Sequence, residues 1–311
     1  MIHVVALNPA LDRTVILKEF NHDGVSRAKE SMDLLGGKGF NVVRSLMTGE
    51  ERPPFQIHSF LGGYIGDILR TFIDEKGMDA RITNITGTTR ICSVIVDEQR
   101  NEVHLINESG PAITQAEKDE LYSSLLAQTK PGDYVIFSGS LPKGVEPEFY
   151  QTVIRTLEEK GAHCVLDSSG LPLEHGVQAN PWLLKVNEHE FKELVSPGEK
   201  QIQSLETMVA EFDQAQNVMI TLGKNGALAK FNHQLYQVEL PAIEARNATA
   251  SGDIFLGAFI KTMDQGAAVE EALQTANAYS LSNCLSWYPH INMEEVETFK
   301  PNIKVTRLRS S

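Results

Sequence analysis

Five short apolar runs, rich in β-branched residues, alternate along the chain with stretches of helix length. The runs occupy residues 2–7, 134–138, 163–167, 183–186 and 217–221. This alternation constrains the fold more than any other feature, because a crossover helix returns the chain to the same end of the sheet and makes the next strand parallel. The sequence therefore predicts an α/β fold with a mainly parallel sheet.

Residues 14–17 and 90–106 contain strand-like runs that follow one another without a helix. They predict a small β accessory on the α/β body. The chain returns to α/β alternation after Gly110 and Pro111, and no repeat or Pro/Ser-rich linker interrupts it. We therefore expect a single domain over residues 1–311.

The charge balance argues against one class of partner. Lys and Arg number 28, Asp and Glu number 41, and the formal net charge is −13, which opposes attraction to nucleic acid and to anionic membranes. A small anionic ligand such as ATP needs only a few local cations. The three scattered cysteines indicate neither a disulfide framework nor a metal site. Because the sequence shows neither a signal-peptide pattern nor an apolar run of transmembrane length, we expect a cytoplasmic protein.

Several local patterns fail the motif that they resemble. Residues 36–39 lack the hydroxyl residue and the upstream Gly of a Walker loop, and the glycines of residues 62–66 are wrongly spaced for a dinucleotide fingerprint. Residues 189–193 lack the second His of a zinc protease helix. Ser140 and Ser169 lack the flanking glycines of a nucleophile elbow. These four enzyme classes are therefore disfavoured.

The most informative segment is residues 247–259, where small residues lead directly into an apolar helix. Free backbone N–H groups in the first turn of such a helix bind anions such as phosphate. An Asp beside that site would repel phosphate unless it handles a proton, so Asp253 is a candidate general base. The alternative is ordinary capping, with Thr249 or Ser251 as the N-cap and Asp253 stabilised by the helix dipole.

A second segment, residues 36–44, again places glycines at a helix start, here followed by a cation and an amide. Lys38 and Asn41 lie one turn apart and can project toward one ligand, and a flexible turn with a surface lysine is the alternative. Residues 8–12 are expected to end the first strand in a turn. That turn would present Asp12 at the carboxyl end of a strand, where open α/β sheets bind ligands; a turn-stabilising Asp is the alternative.

Together these segments resemble the ribokinase-like carbohydrate kinases, also called the phosphofructokinase B family, over essentially the whole chain. The resemblance is carried by residues 8–12 (NPALD), 36–39 (GGKG), 89–90 (TR), 107–111 (NESGP), 138–142 (SGSLP), 185–190 (KVNEHE), 221–227 (TLGKNGA) and 251–253 (SGD). The opening NPALD is more similar to the branch that acts on phosphorylated ketohexoses, the 1-phosphofructokinases and tagatose-6-phosphate kinases, than to ribokinases or adenosine kinases.

The resemblance implies a three-layer α/β sandwich whose β accessory is a lid, formed by segments around residues 12–30 and 88–108. Such a lid covers the sugar, excludes water so that ATP is not hydrolysed, and often pairs with the lid of another subunit. The family further implies ATP and Mg²⁺ as cofactors, a sugar phosphate as the small-molecule partner and a homodimer joined through the lid. The implied reaction converts fructose 1-phosphate to fructose 1,6-bisphosphate.

The resemblance also implies a role for individual residues. Catalysis is carried by Asp253 as the base, with the backbone N–H groups of Ala250, Ser251, Gly252 and Asp253 as an anion hole. The sugar is held by Asp12, Gly37, Lys38 and Asn41, and its phosphate by Arg90, Arg27 and Ser140. The nucleotide is held by Lys185, Asn187, Thr221, Gly223 and Gly226, and Glu190 positions Mg²⁺ indirectly. The local alternatives are surface charges for both arginines, a hairpin turn for residues 221–226 and a capping arrangement for Asn187 with Glu190.

Two positions depart from the family pattern, Ala250 and Ile254, and the first of them bears on the anion hole. The family usually has Gly-Ala-Gly-Asp or Gly-Ser-Gly-Asp where this chain has Ala250, Ser251, Gly252 and Asp253. The Cβ of Ala250 removes the easy access to positive φ that Gly would have. This departure affects the expected rate of phosphoryl transfer more than the assignment of Asp253 as the base. Two alternatives stay open: a tagatose-6-phosphate kinase, and a non-catalytic sugar-phosphate sensor that has lost turnover.

Overall fold

A computed structural model describes residues 1–196 and 204–308, and within them the chain forms two β-sheets and surrounding helices. The larger sheet contains, in spatial order, β14 (Lys304–Leu308), β13 (Gln234–Glu239), β12 (Ala227–Phe231), β11 (Asn217–Thr221), β10 (Leu183–Asn187), β9 (His163–Asp167), β8 (Tyr134–Ser138), β1 (Ile2–Ala6), β4 (Phe55–Leu61) and β5 (Ala80–Asn84). Neighbouring strands from β11 to β5 run parallel, whereas β12, β13 and β14 are joined antiparallel. The predicted α/β fold with a mainly parallel sheet is confirmed.

Helices cover both faces of this sheet. One face carries α1 (Lys38–Met47), α2 (Gly63–Glu75), α8 (Ser251–Asp264), α9 (Val269–Cys284) and α10 (Met293–Phe299), and the other carries α3 (Gln115–Gln128), α4 (Phe149–Glu159), α5 (Gly170–Gly176), α6 (Glu188–Val195) and α7 (Leu205–Glu211). Successive side chains of a strand enter opposite cores: Val135 and Phe137 join one, Ile136 the other. Burial on both faces explains why these strands are continuous apolar runs.

A smaller, separate sheet consists of β3 (Ala28–Gly36), β2 (Ala10–Leu17), β6 (Arg90–Asp97) and β7 (Glu102–Asn107), in that order. It confirms the predicted β accessory. Strand β3 extends to Gly36, beyond the predicted 12–30. The sequence missed this extent because the first half of β3 is exposed and polar, so the strand as a whole gives no continuous apolar signal.

The predicted turn at Asp12 is wrong. The sequence placed it in a turn that ends the first strand, but the structure has Asp12 within β2, paired with Leu34 of β3 and Cys92 of β6. The turn is shorter than expected, because a new strand begins at Ala10, directly after Pro9. Asp12 therefore approaches the carboxyl end of the large sheet from the smaller one.

Two helices begin with a capping box, and one of these is the capping arrangement considered above for Asn187 with Glu190. The Thr114 hydroxyl accepts from the Glu117 N–H, and the Glu117 carboxylate accepts from the Thr114 N–H. Asn187 and Glu190 exchange the same pair of bonds at the start of α6. These local signals set where the helices begin, and no helix in the described ranges has the length and apolarity needed to cross a bilayer.

Candidate active site

A cavity of about 510 Å³ opens where the carboxyl ends of the parallel strands, the first turns of α1 and α8, and strands β2 and β6 meet. Most residues predicted for the site line it: Asp12, Gly37, Lys38, Asn41, Arg90, Ser140, Lys185, Asn187, Thr221, Ala250, Gly252 and Asp253. Five predicted residues, Arg27, Glu190, Gly223, Gly226 and Ser251, are not part of its wall. The fold thus brings Asn41 and Asp253, 212 positions apart in sequence, to one cavity.

Asp253 is the buried acid of this cavity. It lies in the first turn of α8, is 7% exposed, and its Oδ2 accepts a hydrogen bond from Asn41 Nδ2 at 3.0 Å. Burial raises the pKa of Asp253 to about 6, while the ammonium groups of Lys38 and Lys185 oppose the rise. A carboxylate with that pKa is ionised at pH 7 and is a stronger base than an exposed Asp.

Two lysines face the acid and share a fully buried carboxylate. Lys38 Nζ donates to Asp167 Oδ1 at 2.9 Å, and Lys185 Nζ donates to Asp167 Oδ2 at 3.2 Å. Burial alone would raise the pKa of Asp167, but the two ammonium groups hold it below its usual value. The pKa of Lys38 is raised despite burial, because Asp167 and Asp253 stabilise its charge. The cavity therefore keeps two fixed cations that can receive phosphate oxygens.

The start of α8 offers free backbone donors. The N–H groups of Ser251 and Asp253 are bonded to the carbonyls of Ala248 and Ala250, at 3.2 and 3.0 Å. For the N–H groups of Ala250 and Gly252, which line the cavity, we find no acceptor in the described part of the chain. Unpaired N–H groups at a helix N-terminus, reinforced by the helix dipole, form an anion-binding site.

Gly252 leaves room for the close approach of Lys185. A Cβ built on Gly252 would lie 2.9 Å from Lys185 Nζ, so any larger residue would displace the ammonium. The glycine thus lets a cation and a free backbone N–H reach the same point of the cavity.

Three buried polar atoms of residues in the cavity wall lack a protein partner in the described ranges. They are Asn8 Oδ1, Asn41 Oδ1 and Ser138 Oγ. Buried polar atoms are normally hydrogen-bonded, so an unsatisfied set on one cavity indicates a ligand that supplies several polar groups. A polyhydroxylated molecule such as a sugar has this property.

The far side of the cavity carries Asp12 and Arg90. Burial raises the pKa of Asp12 to about 6, and the guanidinium of Arg90 opposes the rise. Arg90 donates to the carbonyl of Asn8, at 2.8 and 3.2 Å, and to that of Glu108 at 2.8 Å, which fixes the guanidinium at the base of β6. Arg27 is exposed just before β3, outside the cavity wall, and its contact with a phosphate stays a prediction.

A second cavity, of about 380 Å³, adjoins the first through Asn187 and Thr221. It is also lined by Gly223, at the start of a 3₁₀ turn, Gly223–Asn225, that joins the antiparallel strands β11 and β12. The hairpin turn and the capping box, the two local alternatives, are therefore both present. Neither excludes a nucleotide, because Asn187, Thr221 and Gly223 line open space; Glu190 and Gly226 are in the wall of neither cavity.

Asp167 and Asn8 are site residues that the sequence analysis missed. Asp167 ends β9 at the carboxyl edge of the sheet, the position where α/β folds bind ligands, and this signal was readable from the predicted strand 163–167. Asn8 Nδ2 donates to Ser140 Oγ at 3.2 Å, and its place in the cavity depends on a contact across 132 positions. No local pattern reports such a contact.

Comparison with known proteins gives a consistent result. The profile of the pfkB family carbohydrate kinases matches residues 5–286. The tagatose-6-phosphate kinase of Staphylococcus epidermidis is 33% identical over 313 residues, covering 98% of this chain and 99% of that protein. The 1-phosphofructokinase of Bacillus subtilis is 28% identical over 317 residues, covering 99% and 100%. The structure of phosphofructokinase-2 from Escherichia coli in complex with substrates and products has a TM-score of 0.90 at 24% identity, covering 97% and 98%, which shows a shared fold.

Proposed function

The chain belongs to the pfkB family of carbohydrate kinases, and from that premise we propose that it phosphorylates a ketohexose phosphate, with fructose 1-phosphate as the acceptor. As a family member it is a sugar-phosphate kinase that uses ATP. The observation that carries the proposal is the first turn of α8, where the buried carboxylate of Asp253 and the free N–H groups of Ala250 and Gly252 face one cavity. A base and an anion site on one helical turn suit phosphoryl transfer.

In the proposed reaction the C6 hydroxyl of fructose 1-phosphate attacks the γ-phosphorus of ATP. The bond from that phosphorus to the bridging oxygen of ADP breaks, ADP leaves with the electron pair, and the hydroxyl proton passes to Asp253. The N–H groups of Ala250 and Gly252, with the ammonium groups of Lys38 and Lys185, stabilise the charge on the transferring phosphoryl. Positioned charges of this kind supply most of the catalysis in phosphoryl transfer.

We assign the sugar to the side of the cavity formed by α1 and β2. Asp12 and the unsatisfied Oδ1 of Asn41 accept hydrogen bonds from sugar hydroxyls. Lys38 and the backbone at Gly37 contact the sugar near its reacting end. The phosphate already present on the sugar is held by Arg90, Arg27 and Ser140. In fructose 1-phosphate and tagatose 6-phosphate the acceptor hydroxyl and the phosphate lie at opposite ends of the six-carbon chain. The arrangement therefore suits both sugars, and the 33% identical relative named tagatose-6-phosphate kinase makes that sugar the second candidate.

We assign the nucleotide to the adjoining cavity at Thr221, Gly223 and Gly226, with Asn187 and Lys185 toward its phosphates. Mg²⁺, which takes one or two carboxylates and otherwise water and phosphate oxygens, neutralises charge on the phosphates when it is bound. We assign Glu190 to position Mg²⁺ indirectly. Its Oε2 is used by the capping box, and its negative charge acts on Lys38 in the cavity.

The proposal includes a cytoplasmic single-domain enzyme that dimerises through its smaller sheet. Leu105 and Ile106 on the edge strand β7 are 50% and 57% exposed, which provides an apolar patch for a second copy. Light scattering on the purified chain tests this assembly. Replacing Leu105 and Ile106 together by Ser is expected to shift the mass to that of one chain; an unchanged dimer would place the interface elsewhere.

A panel of acceptors tests the function. ADP release is measured with ATP and Mg²⁺ against fructose 1-phosphate, tagatose 6-phosphate, fructose 6-phosphate, fructose and adenosine, with Asp253→Asn purified in parallel to reveal contaminating host kinases. We expect the highest kcat/KM with fructose 1-phosphate. A higher value with tagatose 6-phosphate would establish the second candidate, and turnover of unphosphorylated fructose alone would contradict the roles of Arg90 and Arg27. Binding of a sugar phosphate without turnover would indicate the sensor.

A further inference from the structure

The anion site of α8 depends on an unusual backbone conformation. Ala250, the N-cap of the helix, has φ 67° and ψ −5°, in the left-handed region. An L-residue other than Gly pays about 1–2 kcal/mol there, and such strain persists only where the surroundings impose it. The residues that hold Ala250 in the left-handed conformation therefore support the anion site.

The amide of Asn283 bonds to both neighbours of Ala250. Asn283 lies in the last turn of α9 and is 1% exposed. Its Nδ2 donates to the Thr249 carbonyl at 2.9 Å and to Ser251 Oγ at 2.9 Å. Its Oδ1 accepts from the His290 N–H at 3.1 Å, so the orientation of the amide is fixed by a third partner. A flipped amide would face the Thr249 carbonyl with an oxygen and lose that bond.

The next residue of α9 holds the loop at a second place. The Cys284 carbonyl accepts from the N–H groups of Arg246 and Asn247, at 2.8 and 3.3 Å. Asn247 Oδ1 in turn accepts from the Thr249 N–H at 2.9 Å. One helix end thus anchors the loop before Ala250, and within residues 1–196 and 204–308 Asn283 is the one side chain that hydrogen-bonds both residues flanking Ala250.

We propose that Asn283 is a positioning residue for phosphoryl transfer: by bonding to Thr249 and Ser251 it holds Ala250 in the left-handed conformation that aims the N–H groups of Ala250 and Gly252 into the cavity. This inference rests on the proposed function, because the anion that these groups receive is the transferring phosphoryl. Asn283 is outside the cavity wall, so it acts through the loop and not on the substrate.

A double-mutant cycle tests the proposal. Asn283→Ala removes the bonds, and we expect kcat to fall roughly ten- to hundredfold with little change in the KM of the sugar phosphate, because a displacement of about 1 Å at a reacting group has this effect. Ala250→Gly is the second arm of the cycle: glycine adopts positive φ without a steric cost, so its conformation no longer needs the bonds from Asn283, and the kcat of this variant is the reference for the double variant. In the double variant the same glycine should restore most of the loss, giving a coupling that independent sites do not show.

Asn217→Ala is the matched control. Asn217 is also buried, at 5% exposure, and also bridges two loops, through Trp182 and Asn232, but it lies at the start of β11, at the other end of the strand from the cavity. Its loss should lower the melting temperature without lowering kcat. If Asn283→Ala behaves in the same way, or if Ala250→Gly fails to restore kcat, the positioning role is wrong.

Two further measurements keep the test decisive. Should Asn283→Ala fail to fold, Asn283→Asp keeps the size of the side chain and removes the Nδ2 donor, and the same loss and rescue are expected. Hydrogen exchange of residues 247–253 needs no turnover: we expect it to be at least tenfold faster in the Asn283 variant than in Asn217→Ala, and equal rates would overturn the proposal. Wild-type turnover in the same assays reports separately on the proposed function.

Discussion

Two helices begin at the same cavity, each after a residue with positive φ, and the two residues are held in that conformation by different means. Helix α1 follows Gly37, at φ 88° and ψ 152°, and helix α8 follows Ala250, at φ 67° and ψ −5°. The first conformation is essentially restricted to glycine, whereas the second is open to alanine at a cost of about 1–2 kcal/mol. At α1 the residue type secures the geometry; at α8 the surrounding contacts must do so.

The two helix starts also present opposite chemistry. The first turn of α1 contributes a cation, Lys38, and an amide, Asn41, while that of α8 contributes free N–H groups and the acid Asp253. Asn41 and Asp253 are joined by a hydrogen bond of 3.0 Å. The reacting groups can therefore meet only when both helix starts are correctly placed, which makes each a separate target for mutation.

The largest expected effect comes from the acid of α8. Asp253→Asn keeps the shape and an oxygen that can accept from Asn41, but it removes the base, so kcat should fall by about 10²- to 10⁴-fold. Calorimetric binding of the sugar phosphate should stay within a few-fold of the wild-type value. A variant that keeps its kcat would show that Asp253 does not take the proton.

The pH dependence of kcat/KM is expected to report the titration of two carboxylates, Asp253 at the start of α8 and Asp12 on the opposite side of the cavity. Burial raises the pKa of Asp253 and that of Asp12 to about 6, so both are ionised at pH 7 and become protonated as the pH falls through 6. Because the reaction needs both Asp253 and Asp12 ionised, kcat/KM should fall below pH 6 with a limiting slope of about two logarithmic units per pH unit.

Asp12→Asn isolates the acid of α8 in that profile. With one titrating carboxylate left, the slope of log kcat/KM below pH 6 should drop to about one, at a lower plateau. A slope that stays at two would mean that a different group on the α1 side titrates, and a flat profile would exclude Asp253 as the base.

Gly37→Ala probes the helix start that depends on residue type. A Cβ there would lie 3.3 Å from the Asn8 carbonyl oxygen and 3.3 Å from Pro9 Cα, in a backbone region that costs about 1–3 kcal/mol for other residues. We expect the free energy of unfolding to fall by about that amount. The matched control is Gly77→Ala, also at positive φ, φ 62°, but with nothing within 4 Å of its Cβ. Equal losses in both variants would show that the close approach at Gly37 contributes nothing.

Ala250→Gly is expected to have the smallest effect. Relief of the left-handed strain should stabilise the fold, while the greater freedom of glycine in the unfolded chain offsets about 0.4–1 kcal/mol of that gain. The net increase in the free energy of unfolding should stay below about 1.6 kcal/mol in a denaturant titration. A net decrease in the free energy of unfolding would show that the Ala250 methyl, which packs against the main core, stabilises the loop.

The sequence predicted the features that depend on neighbours along the chain. Three of the predicted strands, residues 134–138, 163–167 and 217–221, have the observed bounds, since burial on both faces makes them apolar throughout. The starts of α1 and α8 were readable from runs of small residues. The position of Asp12 was not, because a Pro followed by a short polar-apolar alternation suits a turn as well as a strand.

By itself the sequence determined the α/β class, the places where helices begin and the acid at the start of α8, because each depends on residue types within a turn or a strand. Only the tertiary structure decided which groups surround that acid. Asp167 joins Lys38 from 129 positions away, and Asn283 reaches back to Ser251 across 32. Such pairs carry no local periodicity, since their partners are chosen by the packing of helices on the sheet. The charge and the backbone geometry of the cavity are therefore properties of the fold.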